Sequence, residues 1–267
     1  MPLLKSEGGV IHYERHGKGE PLVILRGLSR SVRHWLGFEH ELAKHFDVLT
    51  VELRGIGQST APWTWKTTLF DIADDVASVL DAEGIAKAHV MGVSLGGMVT
   101  LAFGLRHPER AASLAVINTS IAGQLVPRLS GGAIFAILKA ARRRDPKEHG
   151  PMVDLLVGHD CLPEHRRSIA DRYAEIAVED GLYGDTALRQ LASAGRFLVK
   201  RQLRHLKPPT LIIYGTQDRF VPNLNSRKLA ALIPNSTLIP LPGGHELSLD
   251  QGPALIKTLQ DWTVRVG

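Results

Sequence analysis

The stretch "HVMGVSLGGMVT", His89 to Thr100, sets a serine between two glycines inside an otherwise apolar run. Gly92, Ser94 and Gly96 carry the spacing G-x-S-x-G, and the residues around them change period. "KAHVMGVS" reads as a short buried strand, and "LGGMVTLAFGLRH" as a helix that stops before Pro108. A serine at such a junction has two uses. As a helix N-cap it accepts a backbone N–H. In a sharp strand–turn–helix it is instead held in a strained conformation with its hydroxyl presented, and the positions beside it must lack side chains because backbones approach there. The strand–helix context favours the second use, which calls for a base, an acid and an oxyanion site elsewhere in the chain.

Outward from Ser94, strand and helix patterns alternate. "GGVIHYERHGKGEPLVILRG" reads as two strands joined by the turn "HGKGEP", and "FDVLTVELRG" as a third. Between them, "SVRHWLGFEHELAKHF" places Trp35, Phe38, Leu42 and Phe46 at helical spacing. "TTLFDIADDVASVLDAEGI" does the same with Leu69, Ile72, Val76 and Leu80, and Gly84 closes it. "RAASLAVINTS" is the next strand. The alternation resumes with "PPTLIIYGTQD", "NLNSRKLAALIP", "STLIPLPGGH" and "GPALIKTLQDWTVRV". Such a chain builds an α/β fold, a mostly parallel sheet with helices on both faces. Residues 119–207 interrupt it with helical sequence in which Ile169, Tyr173 and Ile176 share a face. The expected division is a core of 1–118 and 208–267 with a helical cap of 119–207 inserted in it.

Bulk composition narrows the class. A chain of 267 residues, 44% hydrophobic and 22% charged, suits one globular domain with an insertion. One cysteine, Cys161, leaves no internal disulfide framework and fits a reducing compartment. The N-terminus lacks a signal-peptide core, and no run reaches membrane-span length, so a cytoplasmic protein without a membrane partner is expected. The net charge of +5 falls wholly between Thr119 and Lys207, including "RRR" at Arg142 to Arg144. No aromatic residues interleave with those arginines, which points to a solvated helix face and no nucleic-acid partner. "HELAKH" (His40 to His45) is one residue too long for the zinc motif H-E-x-x-H, because i,i+5 positions do not share a helix face. No metal or organic cofactor is implied.

Candidates for base and acid lie beyond the ends of later strands. "LPLPGGHELS" puts His245 in a loop after an apolar strand, and "LIIYGTQDRFVP" puts Asp218 in the same kind of place. Active-site groups of open α/β sheets gather outside the carboxyl ends of the strands. In the order Ser94, Asp218, His245 the sequence resembles the α/β-hydrolase superfamily over nearly its whole length. "GVSLGG", "GTQDRFVP" and "GGHELS" look like that family's nucleophile, acid and histidine loops, and "ELRGIGQS" (Glu52 to Ser59) like its D-x-R-G-x-G-x-S turn. The resemblance implies Ser94 as nucleophile, Asp218 as orienting acid and His245 as general base. It also implies an oxyanion hole made by the amides of Leu28 and Leu95.

One segment departs from that pattern. Where the family usually has His-Gly after its third strand, "VILRGLSRS" gives Arg26-Gly27. Arg26 has two expected uses, a structural ion pair with Glu52, which is favoured, or contact with an anionic substrate. Trp35, Phe135 and Leu138 are further candidates for contact with substrate, and Ile134, Phe135, Leu138, Leu155 and Leu156 are expected to form an apolar roof. The resulting expectation is a serine hydrolase acting on a small-molecule carboxylic ester. Lactone, thioester, carbon–carbon and perhydrolase chemistry are alternatives on the same fold, and a hydrolase-like ligand receptor is a rival of another class. Oligomeric state has no signal in the sequence.

Overall fold

The computed structural model describes residues 3–123, 128–142, 150–181 and 183–267, without the side chains of 138–142, 150 and 151. The strands are β1 (Leu3–Ser6), β2 (Gly9–Gly17), β3 (Pro21–Leu25), β4 (Asp47–Val51), β5 (Ala88–Val93), β6 (Ala111–Ile117), β7 (Thr210–Gly215) and β8 (Ser236–Leu241). They form one eight-stranded sheet in the order β1-β2-β4-β3-β5-β6-β7-β8. The β1–β2 and β2–β4 pairings are antiparallel and the rest are parallel.

Helices cover both faces: α1 (Phe38–Leu42), α2 (Leu69–Ala82), α3 (Leu95–Arg106), α8 (Leu224–Leu232), α9 (Leu247–Asp250) and α10 (Gly252–Val266) lie within the sheet-forming part. Between β6 and β7 come α4 (Gly131–Arg142), α5 (Gly150–Leu156), α6 (Pro163–Asp180) and α7 (Gly184–Arg196). The two-residue period of the strands decides which core each side chain enters. Val23, Leu25, Val90 and Val116 pack with α2 and α3 on one face. Leu22, Ile24, Met91 and Ile117 pack with Phe38 and Trp262 on the other. A third cluster joins Val153, Leu156, Ile169 and Tyr173 of the inserted helices to Phe220 and Val221, just beyond β7. Local signals agree with this plan. Thr68 caps α2 reciprocally with Asp71, and Gly84, at φ +66°, ends it. No helix among the described residues is long and apolar enough to cross a membrane.

The strand and helix order follows the sequence closely, with one correction, in the segment before β4. β2 and β3 follow one another through the short turn at 18–20, as expected, and in the sheet β4 lies between them, antiparallel to β2 and parallel to β3. The apolar spacing of Trp35, Phe38, Leu42 and Phe46 does not make one helix. Leu36 (φ 52°) and Gly37 (φ 95°) break it into a 3-10 turn, Val32–Trp35, and the short α1. Left-handed backbone cannot continue a right-handed helix, and glycine makes it accessible here. β1 carries no sequence signal, being four partly exposed residues at the sheet edge. The expected solvated face at Arg142 to Arg144 lies outside the described side chains.

Candidate active site

The chain moves from β3 to β4 on one side and then to β5 on the other, so the sheet order reverses between β3 and β5. Ligand crevices open outside the carboxyl ends of strands at such a reversal. Gly27 and Leu28 leave β3 there, and Ser94 leaves β5. The ends of β6, β7 and β8 bring Asn118, Asp218 and His245 to the same edge.

Ser94 has φ 56° and ψ −115°, a conformation that side-chain-bearing residues rarely adopt. Neighbouring packing fixes it. Its N–H donates to the Ile117 carbonyl (2.9 Å), and its own carbonyl accepts from Thr119 Oγ1 (2.7 Å) and the Met98 amide (3.2 Å). A Cβ at Gly96 would overlap the Leu25 and Arg26 carbonyls, and one at Gly92 would overlap the Gly96 carbonyl. The G-x-S-x-G spacing is therefore required by backbone contact. Ser94 does not act as a side-chain helix cap. It is half-buried and lines a cavity of about 500 Å³, together with Gly27, Leu28 and His245. That volume suits a small organic ligand.

His245 is buried, and its Nδ1 lies 2.8 Å from Asp218 Oδ2. The other Asp218 oxygen accepts the amides of Phe220 (2.7 Å) and Val221 (2.9 Å), which fixes the carboxylate plane. Burial works to lower the His245 pKa, but the Asp218 carboxylate, with a contribution from Glu246, outweighs it and holds the imidazole above its ordinary value. Asn118 is a residue the sequence reading missed. From the end of β6 its Nδ2 donates to the carbonyls of Gly244 (3.0 Å) and His245 (2.8 Å), while its Oδ1 accepts the Gly215 amide (2.8 Å). One buried amide side chain thus ties the histidine loop to the end of β7. Its only sequence signal is an asparagine at a strand terminus, in "VINTS".

Leu28 lines the cavity. Leu95 does not: its side chain enters the core, while its amide belongs to the first turn of α3, where N–H groups have no intrahelical partner. Gly27 keeps the β3 loop close, since a Cβ there would come 3.2 Å from Ser94 Cβ.

The expected Arg26–Glu52 pair does not form. Arg26 is fully buried and donates to both Glu246 oxygens at 2.9 and 3.0 Å, with Tyr173 Oη at 3.4 Å and the Trp35 ring centroid 4.5 Å from the guanidinium carbon. Burial opposes the Glu246 charge, but Arg26, followed by His245 and Arg30, holds its carboxyl below the usual range. Glu52 instead accepts the amides of Val32 (3.1 Å) and Gln58 (2.7 Å) and meets His12 Nδ1 (3.1 Å). Arg26 and Trp35 both stand apart from the cavity wall, with Trp35 packed under Arg26 and against Phe38. Phe135 is 68% exposed and Ile134 48% exposed, so neither forms the roof; the Leu138 side chain lies outside the described residues. Of the expected roof, Leu156 does line the cavity and Leu155 does not, and Ile137, Met152 and Ile176 join Leu156 on the apolar part of the wall. The helical phase of α4 was misread by about one face. Among the described residues, no group of three or more His, Cys, Asp or Glu side chains is placed to hold a metal ion.

The fold and this site define a hydrolase, and the comparisons agree. The family model for the alpha/beta hydrolase fold matches residues 20–251, and the chain belongs to that family. A relative from Variovorax paradoxus (strain S110), named "Putative carbamate hydrolase RutD", is 30% identical over 263 residues, 96% of this chain and 97% of its own. The esterase RhEst1 from Rhodococcus sp. ECU1013 shares the fold with a TM-score of 0.84 at 25% identity, covering 99% of this chain and 98% of that one. An enol-lactonase from Burkholderia xenovorans LB400 has a TM-score of 0.83 at 23% identity, covering 98% and 100%, and speaks for the fold alone.

Proposed function

We propose that the protein is a serine hydrolase cleaving a small to medium carboxylic ester or lactone through an acyl-enzyme on Ser94. The observation that carries this reading is the shared cavity: Ser94, presented in left-handed backbone, faces it with His245, itself paired at 2.8 Å with Asp218. In this scheme neutral His245 takes the Ser94 proton as the hydroxyl attacks the acyl carbonyl, and Asp218 stabilises the imidazolium. The amides of Leu28 and Leu95 receive the oxyanion. His245 then protonates the leaving alkoxide, and water activated by the same imidazole releases the acid. The scheme requires the Ser94 hydroxyl and the free ring nitrogen of His245 to lie within hydrogen-bond reach when substrate is bound.

The region 119–207 acts in this reading as a cap that selects the acyl group, because its helices supply most of the apolar wall. The relative named as a carbamate hydrolase supports adding a carbamate to the substrates examined, since its carbonyl is attacked in the same way. The test is turnover by wild type and Ser94→Ala on a panel of acyl esters, a lactone, a thioester and a carbamate. The variant should lose roughly four powers of ten or more in kcat while melting as wild type does. Near-normal turnover by the variant would refute the assignment. Sustained turnover by wild type would separate an enzyme from a receptor that hydrolyses once.

A further inference from the structure

The cavity holds a cation to which the acyl chemistry above gives no task. Arg30 lies two residues beyond Leu28, in a turn closed by its amide donating to the Gly27 carbonyl (3.3 Å), and it lines the cavity beside Ser94 and His245. Its guanidinium carbon sits 4.5 Å from the centroid of the buried Tyr173 ring, a stacking contact that orients the group. Among the described residues no carboxylate pairs with it. The acid beside it, Glu246, already gives both oxygens to Arg26. Asp218 is engaged by His245 and two amides. The remaining acid on the wall, Asp185, is solvent-exposed. Glu246 is thus committed to Arg26, and Arg30 is left without a carboxylate in direct contact. Arg30 is half-buried, and this partial burial acts against its charge and lowers its pKa.

An incoming carboxylate would offset that cost. A guanidinium matches a carboxylate through two parallel N–H···O bonds, so the cation selects for shape as well as charge. Ile137, Met152, Leu156 and Ile176 add an apolar stretch to the same wall. We propose that Arg30 is an anion anchor and that the substrate carries a carboxylate on its acyl side, as a dicarboxylic half-ester or a carboxylate-bearing lactone does. The proposal rests on the serine-hydrolase reading for the direction from which the carboxylate enters.

The test compares kcat/KM for a glutaric acid mono-ester of p-nitrophenol with that for the same compound methylated on its free carboxylate. Wild type should favour the anion. Arg30→Met should reduce the anion-to-neutral ratio by one to two powers of ten, mainly through KM, and Arg30→Lys should restore part of it. A calorimetric titration with glutarate supplies a second readout that needs no turnover. Ser94→Ala protein should bind glutarate at least tenfold more tightly than the Ser94→Ala, Arg30→Met double variant. An unchanged ratio, or glutarate binding independent of Arg30, overturns the anchor while leaving the hydrolase reading intact. Arg30-dependent glutarate binding in a protein that turns over no ester upholds the anchor and defeats the hydrolase reading.

Discussion

Arg26 donates two hydrogen bonds to Glu246, the residue that follows His245, with almost no solvent around the pair. A buried pair of this kind adds little net stability, but breaking it is costly because the survivor is a desolvated charge. Arg26→Met should lower stability by about 3–5 kcal/mol, seen as a large fall in melting temperature, whereas Arg26→Met with Glu246→Leu should recover most of the loss. An Arg26→Met variant that melts normally would contradict the ion pair. The partner was not legible in the sequence. Glu246 is 220 positions away, and Glu52, the residue expected to pair, is used up by two backbone amides and His12. Asp218 and His245 were legible, since each follows an apolar strand in a glycine-marked loop. Asn118, Arg30 and Tyr173 acquire their meaning only when five strand ends meet. A lone asparagine or arginine in the sequence carries no such information.

Among the elements, strands were read more accurately than helices, and the reason is packing. β5, β6 and β7 are covered on both faces, so their apolar runs have few alternative placements. The break at Leu36 and Gly37 overrides a helical spacing that was otherwise sound, and the pairing of β4 between β2 and β3 depends on a crossover that local turn residues do not encode. The inserted helices misled in phase: α4 turns Ile137 inward and leaves Phe135 in solvent. Met152 of α5 tests the element's role with little volume change. Met152→Gln places an amide on the apolar wall, so kcat/KM on a hexanoyl ester should fall about tenfold more than on an acetyl ester, near the value of about two buried methylenes. Equal losses on both esters would deny this wall a part in acyl selection.

For the molecule as a whole, one sheet reversal gathers the site. Ser94 enters from β5, the Leu28 loop from β3, Asp218 from beyond β7 and His245 from beyond β8, while the helices between β6 and β7 close the cavity over them. The scheme then makes the reactivity of Ser94 depend on the protonation of a histidine held above its ordinary pKa by Asp218. A raised value keeps the imidazole protonated to higher pH, and protonated imidazole cannot accept the serine proton. The most direct measurement is the rate of covalent labelling by a serine-directed phosphonate, followed across pH by mass spectrometry with the modified residue mapped. The account predicts one adduct, on Ser94, forming at a rate that rises with pH through a midpoint above about 6.5, with the rate collapsing in His245→Gln. An adduct on another residue, or Ser94 labelling that is unaffected by pH and by His245→Gln, would contradict it.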